Sequence, residues 1–392
     1  MKRRQFITGA IAAIVGSLFK LNGKGIFSTF GQELSVDDTP QLQAALNRGG
    51  RVTLEAGRRY RVSAPVGARY ALLIPSDTFL DLAGATVELA PNQRYCNLIS
   101  SSWDQPSQNI CIANGEIIGN GTLQPSAFDN SYGISPTLYF PNSNGLVLRD
   151  LRIRDAYMYA IYAKGNDGTL DTALVDGAIG GGIWLWGDRW KIDRVNVRNV
   201  TYLDPVNCTG NPFIVSLRDS ILGDIRCENY GYGVKFQDGC ENVTVNSILA
   251  IGGPNHDRSG DFLVKIQGMN DSRGQRINRG IRIRSLVARN GKRVGLYIYY
   301  STDIAIASYL GENNDRLSQD DMTGADVLIT DADHIHFNNL HIKEYNQYGL
   351  WLNDHVDQVS VDTVKIENPR SSNATPIVNR SSPGALVMGT NP

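Results

Sequence analysis

A glycine-rich polar loop at residues 252–258 holds the densest group of side chains able to transfer a proton. It contains His256 and Asp257, followed by Arg258. A histidine titrates near neutral pH and an adjacent carboxylate can orient its ring, so this pair is suited to general acid–base catalysis. The same two side chains would also serve to organise a turn, and the sequence leaves both interpretations open.

The segments on either side of this loop add further titratable candidates. They are Tyr232, Lys235 and Asp238 before the loop, and Asp261 and Lys265 after it. Lys265 as a base and Tyr232 as a proton donor would suit removal of a proton next to a carboxylate. Alternatively, Asp238 with Asp257 or Asp261 would supply the two carboxylates that glycoside hydrolysis needs.

Cationic and aromatic residues provide candidate ligands for a sugar chain. They are Arg258, Lys235, Arg282, Arg284, Trp184, Trp186, Tyr297 and Tyr299. Strand alternation puts Arg282 and Arg284 on one face, where the pair suits an anionic glycan or forms a solvated surface ladder. Trp184 and Trp186 also lie on one face of their strand, as do Tyr297 and Tyr299. Each pair either stacks on sugar rings or packs in the core.

Short repeated phrases indicate the elements that must position these residues. From about residue 144, a small residue, an alternating apolar strand, a polar Asn/Asp turn and a second strand recur at uneven spacing, as at 182–192, 233–245 and 295–306. Each unit is too small to bury its own apolar face, so the units must stack as a solenoid with loops inserted at one turn. Such insertions are where a substrate groove would be built.

The predicted architecture is all-β, a single right-handed parallel β-helix over residues 35–370 with a short N-terminal capping helix. Capping-type residues followed by Leu42 and Leu46 predict that helix. Residues 371–392 are predicted to be a tail or cap. A β-propeller would need about four strands in each repeat, and a leucine-rich repeat would need its Leu/Asn ladder, which is missing.

Several of these segments resemble the pectin-lyase-like and polygalacturonase-like β-helices. The resemblance lies in the helix, the Gly49-Gly50 pair, the strand and turn at 51–62, and the segments 73–78, 82–87 and 114–121. It implies the β-helix fold and an action on polysaccharides. The polygalacturonase catalytic pattern is absent, because Gly231 and Tyr232 replace its two aspartates, Leu263 replaces an arginine and no Gly-His-Gly occurs.

His256 and Asp257 are similar to the end of the Asp-Pro-His-Asp motif of mannuronan C5-epimerases, which are also β-helices. Gly253 and Pro254 depart from the first half of that motif. The resemblance implies a polysaccharide lyase or epimerase acting on a uronate-containing glycan. The alternatives are a polygalacturonase-like hydrolase and a non-catalytic polysaccharide-binding or assembly protein.

The N-terminal segment resembles a twin-arginine export signal. Arg3 and Arg4 precede an apolar run at 6–19 that is short for a membrane span. We therefore expect residues 1–30 to act as an export signal, the protein to be periplasmic or secreted, and no membrane span to remain after removal of the signal.

Composition narrows the classes of partner. The net charge is -1, which does not favour nucleic acid. The five cysteines lack paired spacing, and His334, His336 and His341 lack further ligands at suitable spacing, so no metal site or cofactor is predicted. The sequence leaves calcium dependence and oligomeric state open.

Overall fold

The computed structural model describes residues 37–93, 96–125, 135–201, 210–253, 262–271, 274–314 and 324–389. Within these ranges a single α-helix, α1, spans Thr39–Leu46, and a short 3-10 helix spans Gly121–Leu123. Leu42 and Leu46 of α1 are buried against the first coil. The helix therefore covers the apolar end of the solenoid, which confirms the predicted N-terminal capping helix.

The remaining elements of the described residues are β-strands. The first are β1 (Gly50–Thr53), β2 (Arg59–Val62), β3 (Tyr70–Leu73), β4 (Thr78–Asp81), β5 (Thr86–Leu89), β6 (Asn97–Ser100), β7 (Ser107–Gln108), β8 (Cys111–Ile118), β9 (Leu138–Phe140) and β10 (Ser143–Asn144). The middle of the chain forms β11 (Val147–Lys164), β12 (Thr169–Asp188), β13 (Lys191–Thr201), β14 (Asn211–Tyr230), β15 (Val234–Gln237), β16 (Glu241–Ile251), β17 (Phe262–Gln267), β18 (Met269–Asp271) and β19 (Gly274–Arg276). The last are β20 (Asn278–Arg289), β21 (Val294–Glu312), β22 (Ala325–Lys343), β23 (Tyr348–Leu352), β24 (Asp357–Glu367), β25 (Thr375–Asn379) and β26 (Leu386–Met388).

Apart from β18 and β19, which form a separate antiparallel pair, these strands stack in parallel and wind as a right-handed β-helix with three faces, as the sequence predicted. In one coil, residues 161–164 lie in the face that we call sheet C, 169–170 in sheet A and 173–176 in sheet B; the next coil returns to sheet C at 183–186. The longest strands bend through two or three faces. Neighbouring coils are therefore separated by one strand spacing, about 4.8 Å.

Inward-facing aliphatic and aromatic residues form one continuous core. Leu148, Ile183 and Phe236 are examples with no exposed surface. Because side chains alternate along a strand, the residues between these core positions face outward. The outer faces are therefore where each coil can carry charge or bind a ligand.

Asparagines in the left-handed conformation form the corner at the end of sheet B. Asn199, Asn229, Asn290 and Asn313 all have φ between 51° and 60°, a region that asparagine tolerates better than most residues. Asn229 donates to the side-chain oxygen of Asn199 at 2.8 Å, and Asn313 donates to that of Asn290 at 2.7 Å. Each corner is thus hydrogen-bonded to the corner of a neighbouring coil.

Sheet B carries ion pairs on its outer face. Arg154 lies 2.6 Å from Glu116, Arg198 lies 2.6 Å from Asp176, and Arg289 lies 2.8 Å from Glu312. The arginine side chains are 41–42% exposed. Opposite charges on neighbouring coils are therefore matched across the rungs, in contact with solvent.

One carboxyl group is buried inside the solenoid. Asp326 accepts a hydrogen bond from the Tyr309 hydroxyl at 2.5 Å and one from the Asn314 side-chain nitrogen at 2.8 Å. Burial raises the pKa of Asp326 to about 7, although both hydrogen bonds and the charge of Arg370 oppose the change. A Cβ on Gly311 would lie 2.0 Å from Asp326, so glycine is needed there.

The strand ladder continues past residue 370, into the predicted tail or cap. β25 pairs with β23, and β26 pairs with β24. In the part of the chain that the structure describes, no helix is long and apolar enough to cross a membrane.

Candidate functional site

Two lysines occupy neighbouring rungs on the outer face of sheet C. Lys235 of β15 pairs in register with Lys265 of β17. Val264 and Ile266, on either side of Lys265, point into the core with no exposed surface, so Lys265 points outward. It is nevertheless only 9% exposed. An outward-facing cation that is this buried is unusual and marks a candidate site.

The surroundings of the pair change the titration of both amines. Burial, together with the smaller effect of the positive charge of Lys235, lowers the pKa of Lys265 to about 7. Burial also lowers the pKa of Lys235, against the opposing charge of Asp238. Near neutral pH, Lys265 therefore exchanges its proton readily and can act as a base.

Aromatic rings surround the Lys265 ammonium group. Its nitrogen lies 4.7 Å from the centroid of the Phe262 ring and 5.2 Å from that of Tyr297. These two rings stack on each other at 4.7 Å, and Tyr232 meets the Phe262 ring edge-on at 6.3 Å. The rings exclude water from the amine while their faces stabilise its charged form.

A line of polar and aromatic groups runs beside the lysines on the same outer face. It contains Ser216, Gln237, Gln267, Tyr299 and Thr330. Gln237, Gln267 and Tyr299 occupy the rungs of Lys235, Lys265 and Tyr297. Amide and hydroxyl groups at these positions are suited to hydrogen bonds with sugar hydroxyls.

An aromatic column continues sheet C toward the N-terminus. We use this name for Trp103, Tyr139, Tyr162, Trp184 and Trp186, whose successive ring centroids are 4.8, 5.3, 5.3 and 5.7 Å apart. Trp103 is 36% exposed and the other four are partly buried. The indole nitrogens of Trp184 and Trp186 are buried without an acceptor. Aromatic faces in a row on one outer surface are suited to stacking on sugar rings.

The predicted arginine ligands lie on a different face. Arg282 and Arg284 do point outward from their strand, but that strand segment belongs to sheet A. Arg282 is paired with Asp303 at 2.7 Å, and Arg284 lies 3.4 Å from the Asn246 side-chain oxygen. The structure therefore does not bring them together with Lys265, because alternation fixes the side of a strand and not which of the three sheets contains it.

Four predicted site residues lie outside the described residues. They are His256, Asp257, Arg258 and Asp261. The structure describes the chain up to Gly253 in the coil of Lys235 and from Phe262 in the coil of Lys265. Asp238 is described; it follows the strand of Lys235 in the left-handed conformation, with φ of 59°.

The three histidines for which the sequence predicts no metal site each face a carboxylate. His334 is 2.6 Å from Asp333, and His341 is 2.8 Å from Glu367. His336 has Ser360 at 2.7 Å and Asp362 at 3.4 Å. No group of three potential metal ligands occurs within the described ranges.

Sequence reasoning found Lys265, Lys235, Trp184 and Tyr297 but missed part of the same surface. Phe262, Trp103, Tyr139 and Tyr162 were not selected. Tyr139 and Tyr162 each stand between two inward apolar residues, as Trp184 does, and they pair with one another in register. That shared pattern was the available signal.

A close approach between coils depends on Gly233, which precedes the strand of Lys235. A Cβ at this position would lie 2.0 Å from the Phe262 carbonyl oxygen. Any larger residue would therefore push apart the coils that carry Lys235 and Lys265.

Three solved structures have a similar backbone over most of this chain. The A-modules of the Azotobacter vinelandii mannuronan C-5 epimerases AlgE6 and AlgE4 are 15% and 14% identical, with TM-scores of 0.52 and 0.51. They cover 89% and 91% of this chain and 96% of each module. PfbA, a surface adhesin of Streptococcus pneumoniae, is 13% identical with a TM-score of 0.53, covering 91% of this chain and 90% of the adhesin. At these identities the similarity shows a shared fold, the right-handed parallel β-helix.

No protein-family model matches the sequence, and no curated protein matches it significantly.

Proposed function

We propose that the outer face of sheet C binds an acidic polysaccharide and that Lys265 removes a proton next to a uronate carboxylate. The observation that carries this proposal is the stacked pair of Lys235 and Lys265, of which Lys265 is buried among aromatic rings. Such a pair supplies a neutral amine as base and an ammonium group as ligand for a carboxylate.

The two amines would divide the chemistry between them. The lone pair of neutral Lys265 takes the proton from C5 of the uronate, and the electrons of that C–H bond move into the carboxylate group. Lys235, as an ammonium ion, neutralises the charge that develops there. In a site with little water this electrostatic stabilisation is stronger than in bulk solvent.

β-Elimination and C5-epimerisation differ in what happens to the carbanion after the proton is removed. In β-elimination, its electrons form the C4–C5 double bond as the glycosidic C4–O bond breaks, and the leaving oxygen takes a proton from a tyrosine such as Tyr232. In C5-epimerisation, the tyrosine instead returns a proton to C5 from the opposite face. His256 and Asp257 remain candidates for a second acid–base pair, since in the sequence they precede β17 by only a few residues.

The epimerase modules support an enzymatic role because their names state an action on mannuronan, a uronic-acid polymer. The partial match of His256 and Asp257 to the Asp-Pro-His-Asp motif is therefore a match to proteins that share the fold of this chain. The support is by analogy of fold, and the residues of the lysine pair provide the independent argument.

Incubation with a panel of uronic-acid polymers tests the proposal. A rise in ultraviolet absorbance from an unsaturated product identifies a lyase, and altered uronate composition without chain cleavage identifies an epimerase. New reducing ends without that absorbance would indicate a hydrolase and would favour Asp238 with Asp257 or Asp261 over the lysine pair.

A second candidate function is glycan binding without catalysis. The aromatic column favours it, because rings arranged along one face bind sugars without any catalytic group, and the adhesin shares this fold. Tight binding of a polymer that stays chemically unchanged over long incubation would support this alternative.

We also propose that the N-terminal segment directs export by the twin-arginine route. Replacing Arg3 and Arg4 with lysines keeps the positive charge but removes the arginine pair. Retention of the protein in the cytoplasm is the expected result, and unchanged export would instead indicate a general secretory signal.

A further inference from the structure

Charge is unevenly distributed along the outer face of sheet C. One register column runs along the described coils through Ser100, Tyr139, Tyr162, Trp184, Ile214, Lys235, Lys265, Tyr297, Leu328, Trp351 and Val378. Only the two neighbouring lysines in it are charged. Arg69 lies 5.4 Å from the Trp103 ring and Arg380 lies 4.8 Å from the Trp351 ring, near the two ends of this face. Between those ends, a sugar chain laid along the helix axis would meet the two lysines of this column at one place and aromatic or aliphatic side chains elsewhere.

A second line of outward residues runs beside this column on sheet C. In the described strands it contains one further cation, Lys164. Lys164 pairs with Trp186 and lies in the coil of Tyr162, three rungs before Lys235. At about 4.8 Å for each rung, the two positions are roughly 14 Å apart along the axis. Lys164 is thus separated from the lysine pair by three rungs.

This spacing does not suit a homopolymer of uronic acid. Such a polymer carries a carboxylate on every sugar, so several carboxylates would lie against Tyr162, Trp184 and their neighbours. Removing a carboxylate from water without a countercharge is strongly unfavourable. Neutral sugars, in contrast, present C–H faces that pack well on tyrosine and tryptophan rings.

We infer that the substrate is a heteropolysaccharide in which an acidic sugar, placed at Lys235 and Lys265, is preceded by neutral sugars that stack on the aromatic column. This inference rests on the proposed function for its glycan and deepens it by naming the substrate class. It separates the binding of neutral residues at the aromatic column from the recognition of charge at the lysine pair.

Calorimetric binding of two oligosaccharide classes of equal length tests the inference with the full chain. The first is a deacylated gellan fragment, which has one glucuronate in each repeat with neutral sugars between, and the second is oligogalacturonate. We expect the gellan fragment to bind at least about tenfold more tightly. Equal or tighter binding of oligogalacturonate would overturn the inference.

Substitutions test whether the preference for the gellan fragment depends on the aromatic column. Trp184→Ala should weaken binding of the gellan fragment about tenfold and that of oligogalacturonate less than twofold, since loss of one aromatic contact is of this order. Trp184→Phe should retain most of the affinity. Phe79→Ala, an aromatic residue on the outer face of sheet A, is the control and should change neither affinity. An equal loss for both ligand classes on Trp184→Ala would contradict the inference.

Failure of this inference and failure of the proposed function give different results. If the gellan preference holds but no polymer is chemically changed, the substrate class stands and catalysis fails. If oligogalacturonate is preferred and turned over, catalysis stands and the heteropolymer is excluded. If Lys235→Met and Lys265→Met leave all binding unchanged, sheet C is not the glycan face and both proposals fail.

Discussion

Sheets B and C carry charge in opposite ways although their strands belong to the same coils. On sheet B, arginines and carboxylates alternate across neighbouring rungs, as in Arg154 with Glu116, and their side chains remain in contact with solvent. On sheet C, two like charges, Lys235 and Lys265, are stacked on neighbouring rungs; Lys235 is half-buried and Lys265 is buried among aromatic rings.

The difference separates charges that suit stability from charges that suit chemistry. Exposed opposite charges contribute little individually but avoid repulsion along the ladder. A buried pair of like charges opposes folding, since both desolvation and mutual repulsion disfavour the ammonium forms. Its presence in an otherwise well-paired solenoid is the strongest reason to assign function to sheet C.

The largest effect is expected for Lys265→Met, which keeps the length of the side chain but removes the amine. Turnover of an acidic polysaccharide should fall about 10²- to 10⁴-fold, as for loss of a general base. Thermal stability should be unchanged or higher, because a buried amine is replaced by an apolar group.

The matched control is Lys191→Met, which removes an exposed lysine from the outer face of sheet A. It should leave turnover unchanged. Retained activity in Lys265→Met, with the control also active, would remove sheet C as the catalytic face.

The next largest effect is on the pH dependence of stability and comes from the buried carboxyl group of Asp326. Asp326 has a folded-state pKa of about 7, above its unfolded value of 3.8, so the native state holds the proton more tightly. Its contribution to stability is full below about pH 4, decreases as pH rises to about 7 and is constant above that. Asp326→Asn should abolish this decrease, while the loss of a hydrogen-bond acceptor costs about 1–3 kcal/mol.

Melting temperatures of wild type and Asp326→Asn between pH 4 and 8 measure this effect. The wild type should lose more stability than the variant over that interval. Parallel curves would mean that Asp326 is ionised in the native state throughout.

Removal of the second lysine takes away the proposed ligand for the carboxylate and is also expected to shift the pH profile of the reaction by a smaller amount. Lys235→Met eliminates the positive charge that lowers the pKa of Lys265. The pH at which the rate reaches half its maximum should therefore rise, by a fraction of a unit to about one unit. The pH dependence of kcat/KM reports this value, and a shift to lower pH would show that the two amines do not interact as described.

The smallest effect is expected on sheet B. Arg154→Ala removes the ion pair with Glu116, but the arginine is 41% exposed and Arg152 also lies 3.5 Å from the same carboxylate. We expect a loss of less than about 1 kcal/mol, measurable as a small shift in Tm, and no change in turnover. A large loss would mean that the ion pairs of sheet B hold the coils together.

Local patterns in the sequence were sufficient for the fold but for only part of the site. Alternation around Trp184 and Lys265 predicted that both face outward, because that property depends on immediate neighbours. The burial of Lys265 depends on Phe262 and on Tyr297, which belongs to the next coil. The placement of Arg282 on sheet A depends on how earlier turns divide the chain among three faces. Neither property is encoded within a single strand.

The coils of this solenoid differ in length along the chain but advance by the same distance in space. Lys235 and Lys265 are adjacent across one rung, as are Trp184 and Ile214. A coil is therefore a heritable module: a gene that gained or lost one whole coil between Trp184 and Lys235 would keep every strand in register. It would change only the distance along the axis between the aromatic column and the lysine pair, by one rung. Such a change offers a simple evolutionary route to binding polymers with a different repeat length.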